Sequence, residues 1–126
     1  MAALLIVDDD PIIRDNLRRL FADKYECDMA DRAERALELV QIHKYDAVIT
    51  DVSMPGAGGL EILKRIQARH LTIPVIVISA SGDQFKDLFL EMGAFAYFSK
   101  PFRFEELESA VAHVVNAPDR LRERNA

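Results

Sequence analysis

Five times along its 126 residues the chain passes from a short apolar run to a longer stretch in which apolar residues return every three or four positions. The runs are Ala3-Leu-Leu-Ile-Val7, a weaker one from Tyr25 to Ala30, Ala47-Val-Ile-Thr50, the β-branched Val75-Ile-Val-Ile78, and Ala96 to Ser99. Continuous apolar runs suit strands covered on both faces better than half-exposed ones. The longer stretches read as helices carried by Ile13, Leu17, Leu20 and Phe21; by Ala33, Ala36, Leu37 and Val40; by Leu60, Leu63 and Ile66; by Phe85, Leu88, Phe89 and Met92; and by Phe104, Leu107, Val111 and Val114. Asp10 before Pro11 is a natural N-cap for the first helix, and Gly93 suits the C-terminal cap of the fourth. Parallel strands need crossover connections, and those crossovers are right-handed, so the alternation predicts an α/β fold. Its form is a doubly wound, five-stranded parallel sheet with five helices on its two faces. A closed barrel needs eight such units and about 250 residues, which this chain does not have.

Half of the residues are apolar and 29% are charged, a balance that supports one buried core. One domain is expected over residues 1–117, with 118–126 as a tail or the start of a linker. A net charge of −5 argues against a sequence-independent grip on nucleic acid, which needs a basic surface. Arg120, Arg122 and Arg124 alternate with Asp119 and Glu123, so their fields largely cancel. No apolar run approaches the roughly 18 residues that span a bilayer, and no export signal is recognisable, so a cytoplasmic location without membrane contact is expected. The single cysteine, Cys27, excludes an internal disulfide.

Open sheets of this kind bind ligands beyond the carboxyl ends of their strands. Asp8 and Asp9 follow the first strand, Asp51 the third, Ser79 the fourth and Lys100 the fifth. Singly, each reads as a cap, a turn residue or a surface charge. Their coincidence at one sheet edge points to a site. Three carboxylates gathered without a cation raise one another's pKa, so a bound metal is expected among them. A donor set made of oxygens favours Mg²⁺, with Mn²⁺ as a substitute, and Mg²⁺ commonly bridges carboxylates to phosphate oxygens. Lys100 can pair first with a carboxylate and then with a phosphoryl oxygen, and Ser79 can donate its hydroxyl to the same group. Asp51, at a central strand end, is the expected covalent acceptor. His43, His70 and His113 fall late in helices or in loops and read as surface residues.

These segments resemble the receiver domains of two-component response regulators. The matching stretches are Leu5-Ile-Val-Asp-Asp-Asp-Pro11, Tyr45-Asp-Ala-Val-Ile-Thr-Asp51, Val52-Ser-Met-Pro55 with Gly59-Leu-Glu61, Val77-Ile-Ser-Ala80, and Gly93-Ala94 through Tyr97-Phe-Ser-Lys-Pro-Phe102. The resemblance implies a flavodoxin-like sheet of strand order 2-1-3-4-5. It implies that Asp8, Asp9 and Asp51 hold Mg²⁺ together with the backbone carbonyl of Ser53, that Asp51 is the phosphoacceptor, and that Lys100 pairs with the phosphoryl group. Ser79 and Tyr97 take the switch positions, Pro101 follows a peptide that is usually cis, and Ser53 and Ser81 occupy the positions that tune phosphoryl lifetime. Both are short and polar here, which predicts intermediate self-dephosphorylation.

The implied activity is that of a phosphorylation switch rather than an enzyme. A sensor histidine kinase or a histidine phosphotransfer protein supplies the phosphoryl group, and Mg²⁺-dependent transfer with slow autodephosphorylation is the only chemistry. The fourth helix, fifth strand and fifth helix form the output face, toward a downstream effector, an attached effector domain or a second copy of the chain. A metal-dependent phosphatase is disfavoured because such enzymes commonly carry a second acid two residues after the nucleophile, where this chain has Ser53. A receiver without chemistry is disfavoured by the complete residue set. A flavin-binding domain is disfavoured by three aspartates where a phosphate cradle wants glycine and hydroxyl donors.

Overall fold

The computed structural model describes residues 1–52, 58–69 and 72–116. Strand and helix alternate as β1 (Ala3–Val7), α1 (Pro11–Phe21), β2 (Glu26–Ala30), α2 (Ala33–Ile42), β3 (Ala47–Asp51), α3 (Gly59–Ala68), β4 (Val75–Ser79), α4 (Lys86–Glu91), β5 (Ala96–Ser99) and α5 (Phe104–Val115). A single 3₁₀ turn, Gly82–Phe85, runs into α4. The five strands are parallel in the order β2-β1-β3-β4-β5.

Because side chains alternate across a strand, each central strand feeds two cores. Leu4 and Ile6 of β1, Ala47 and Ile49 of β3, and Ile76 and Ile78 of β4 pack with Leu17 and Phe21 of α1 and Leu107, Val111 and Val114 of α5. The intervening Leu5, Val7, Val48, Val75 and Val77 pack on the other face with Ala36, Val40, Ile62, Leu63, Ile66 and Phe89. Burial on both faces is why these strands read as unbroken apolar runs. β2 lies at the sheet edge, with Glu26, Asp28 and Met29 exposed, which accounts for its weaker pattern.

The caps behave as their residues predict. Asp10 accepts a hydrogen bond from the Ile12 N–H at 2.9 Å in extended backbone geometry, with Pro11 opening α1. At the end of α4, Gly93 adopts φ 101°, its N–H donates to the Leu90 carbonyl at 3.1 Å, and the Ala94 N–H donates to the Phe89 carbonyl at 2.9 Å. That pair of bonds is the Schellman arrangement, and its left-handed residue favours glycine.

Two expected helix faces differ from the structure. Leu20 stays 46% exposed, because Leu17 and Phe21 already meet the sheet. In the fourth helical segment only Phe89 is buried, while Phe85 and Leu88 are exposed. Phe85 belongs to the tighter 3₁₀ turn, where the rotation per residue differs from that of an α-helix, so the three-and-four spacing does not keep all four residues on one side.

Candidate phosphoacceptor site

The parallel register brings the strand ends to one edge. Val7 of β1 lies opposite Thr50 of β3, so the next residues, Asp8 and Asp51, come out side by side. Asp51 pairs with Ile78 of β4, and Ser79 with Ser99 of β5, so Ser79 and Lys100 leave the sheet one step further along. Ligand oxygens of Asp8, Asp9 and Asp51 lie within 4.8 Å of one another. The ammonium of Lys100 stands 3.8 Å from Asp8 Oδ2 and 3.9 Å from Asp51 Oδ1. All four expected charged groups therefore converge.

Each is held by its surroundings. Asp8 is buried, and its Oδ1 accepts from the Asp10 N–H at 2.9 Å. Asp51 Oδ1 accepts from the Val52 N–H at 2.9 Å. Burial pushes the Asp8 carboxyl up to about 6, with the charges of Asp51 and Asp9 adding to the rise and the Asp10 amide and Lys100 opposing it. One lysine does not neutralise three carboxylates. A cluster of oxygen donors this close, partly buried and short of positive charge, fits a hard divalent cation such as Mg²⁺.

Ser79 is fully buried, and its Oγ accepts from the Ser81 N–H at 3.0 Å. Tyr97 is buried beside Phe89 and donates its hydroxyl to the Gly82 carbonyl at 2.7 Å. Ser99 donates to Asp83 in the same turn. Two side chains of β5 thus hold the segment that leads from Ser79 into α4. Ser81 is exposed, and the Lys100–Pro101 peptide is cis, as the resemblance implied. Ser53 and His70 lie outside the described residues, as does the tail from 117 onward. His43 and His113 are exposed and stand away from the acidic cluster, at the ends of α2 and α5.

Two features were not read from the sequence as parts of the site. Arg14, on α1, donates from Nη1 to the Asp8 carbonyl at 2.8 Å. Gly58 and Gly59 pass so near the end of β3 that an added Cβ would stand 2.5 Å from the Val52 and Asp51 carbonyl oxygens respectively. A glycine pair opening a helix just after β3 is the cue that could have shown the second feature. Arg14 offers no such cue.

A family model described as the response regulator receiver domain matches residues 4–112. The chain belongs to the response-regulator receiver family. The response regulator MprA of Mycolicibacterium vanbaalenii is 36% identical over 106 residues, which make up 82% of this chain and 46% of that protein. The transcriptional regulatory protein MalR of Bacillus subtilis is 35% identical over 117 residues, 89% of this chain and 49% of that one. This receiver therefore spans about half the length of the curated relatives it matches. Among solved structures, the response regulator TrrA of Thermotoga maritima in complex with Mg²⁺ and BeF is 34% identical with a TM-score of 0.82, covering 90% of this chain and 99% of that one. A receiver domain from Clostridium thermocellum is 30% identical with a TM-score of 0.86, covering 96% and 99%. Among the described residues of the receiver, no helix is long and apolar enough to cross a membrane.

Proposed function

We propose that this receiver is a phosphorylation switch in which Asp51 takes a phosphoryl group from a histidine of a partner kinase or phosphotransfer protein. The observation that carries the reading is the meeting of Asp8, Asp9 and Asp51 within 4.8 Å, with Lys100 3.9 Å from the acceptor. Asp8, Asp9 and Asp51, with the Ser53 carbonyl, would hold Mg²⁺, which when bound supplies charge neutralisation for the transferring oxygens. The Asp51 carboxylate attacks phosphorus as the bond to the donor nitrogen breaks, and the donor histidine leaves as neutral imidazole after taking up a proton. Lys100 pairs with one phosphoryl oxygen, which replaces the carboxylate contact it makes at rest. Ser79 turns its hydroxyl toward the same group, and its bond to the Ser81 N–H is given up.

The consequence is local and then transmitted. Loss of the bond between Ser79 and the Ser81 N–H frees the turn to which Tyr97 and Ser99 are bonded to shift, and α4 with it. A cleft of about 590 Å³ lies along this side, lined by Asp83 and Lys86, by Tyr97, Phe98 and Ser99 of β5, and by Arg103 and Glu106 at the start of α5. None of the three cluster aspartates lines it. The α4-β5-α5 face is therefore the proposed output surface, for an effector, an attached domain or a second copy. Residues 1–117 form the receiver, and any contact with DNA is assigned to an attached domain. The serines that the sequence places at positions 53 and 81 are short and carry no charge to orient an attacking water, in keeping with an intermediate lifetime.

Incubation with Mg²⁺ and a small phosphodonor, followed by intact-mass measurement, tests the reading. One phosphoryl adduct is expected, absent from Asp51→Asn and from samples with excess chelator. An undiminished adduct in Asp51→Asn would move the acceptor elsewhere.

A further inference from the structure

We infer that Arg14 is a positioning residue for the cation site, holding the peptide plane from which Asp9 presents its carboxylate. The inference rests on the reading of Asp8, Asp9 and Asp51 as that site and adds a residue that touches neither cation nor phosphoryl group.

Asp8 is tied at three points. Its N–H donates to the Ala30 carbonyl at 3.2 Å, its Oδ1 accepts from the Asp10 N–H at 2.9 Å, and its carbonyl accepts from Arg14 Nη1 at 2.8 Å. The first two bonds fix the Asp8 amide and side chain. The third fixes something different, because the Asp8 carbonyl and the nitrogen and Cα of Asp9 share one rigid peptide plane. Rotation about the bond between Cα and the carbonyl carbon of Asp8 would swing Asp9 and Asp10 together, so the Asp10 amide and Arg14 resist it jointly, one through the Asp8 carboxylate and the other through its carbonyl. Asp9 is exposed, so no packing holds its side chain in place. Its alignment with Asp8 and Asp51 depends on the backbone that carries it.

The helix itself does not need this bond. Asp10 caps α1 through the Ile12 N–H, and the Arg14 N–H already donates to the Asp10 carbonyl at 3.0 Å. Removing the guanidinium therefore leaves α1 anchored and takes away one of the two bonds that orient the peptide between the two aspartates. Asp8 is 2% exposed, so water has little access to replace the lost donor. Lysine could offer one donor on a flexible stem, in place of a rigid planar fork.

The test uses the whole chain and three proteins: the parent, Arg14→Met, which keeps the apolar stem, and Arg14→Lys. Mg²⁺ affinity is measured by titration calorimetry, and thermal unfolding is followed in EDTA. Groups that orient metal ligands without touching the metal typically change affinity by about 10- to 100-fold, and a loss near the lower end of that range is expected for Arg14→Met. Arg14→Lys should recover part of it, while all three proteins melt alike in EDTA. Equal Mg²⁺ affinity of Arg14→Met and the parent overturns the inference and leaves the cation site standing. A loss of affinity that tracks a collapse of the fold in EDTA, with Arg14→Lys no better than Arg14→Met, also overturns it. A parent that binds no Mg²⁺ overturns the cation-site reading itself, and this inference with it.

Discussion

Lys100 places its ammonium 3.8 Å from Asp8 Oδ2, yet the Asp8 carboxyl still titrates at about 6, well above the usual carboxylate range. Burial outweighs the lysine. Asp51 and Asp9 push in the same direction as burial, so the metal-free site is strained whenever Asp8 is ionised.

This strain has a definite sign. The folded-state pKa of Asp8 lies above the unfolded value, so its favourable contribution is fully present below about pH 4 and is lost as pH rises through about 6. Asp8→Asn removes the ionisation and keeps an oxygen for the Asp10 N–H. In EDTA at pH 8 the variant should be more stable than the parent by about 1 to 3 kcal/mol, with the advantage gone at pH 4. Urea unfolding at the two pH values measures this. A variant that is less stable than the parent at pH 8 would show that the carboxylate is not under strain.

Tyr45 has the opposite relation to its partner. It is buried, and its hydroxyl donates to Asp28 Oδ2 at 2.6 Å, tying the segment before β3 to the exposed strand β2. Burial and the bond to Asp28 raise the phenol above its ordinary value. The bond therefore stabilises the fold below about pH 10, and its contribution fades as pH rises further. Tyr45→Phe should lose about 1.5 to 3 kcal/mol at pH 7, the range expected for a hydrogen bond to a charged acceptor, and the gap to the parent should narrow in alkaline solution. A gap that stays constant from pH 7 to pH 11 would refute this account of the bond.

Gly59 marks where α3 closes on the end of β3. A Cβ there would lie 2.5 Å from the Asp51 carbonyl oxygen, and backbone rather than a flexible side chain would have to move. Gly59→Ala should destabilise the chain by about 1 to 3 kcal/mol, as overpacking does, and should slow phosphoryl uptake from a small donor by shifting Asp51. Chemical unfolding and the rate of adduct formation provide the two readings. An alanine variant with parental stability and rate would mean that the two segments separate freely.

The central strands were legible because both of their faces are buried. Leu4 to Val7 and Val75 to Ile78 carry no polar residue to obscure the pattern. Asp10 and Gly93 were legible because a cap is a local event, decided by neighbours in sequence. The fourth helical segment was read less well, since a 3₁₀ turn inside it changes which residues share a face. Among the site residues, Asp8, Asp51, Ser79 and Lys100 stood out because a parallel sheet aligns strand ends, and strand ends could be counted.

Sequence by itself determined the alternation, the doubly wound class and the edge at which the polar residues gather, because apolar spacing and the handedness of crossovers leave few other arrangements. Tertiary structure decided what surrounds them. Burial raises Asp8, the β3–α3 approach demands glycine at position 59, and Arg14 reaches back over its own helix start to the Asp8 carbonyl. An arginine on a helix flank looks like any solvated charge until the fold supplies a carbonyl within reach, and that distance is a property of packing, which residue order alone does not contain.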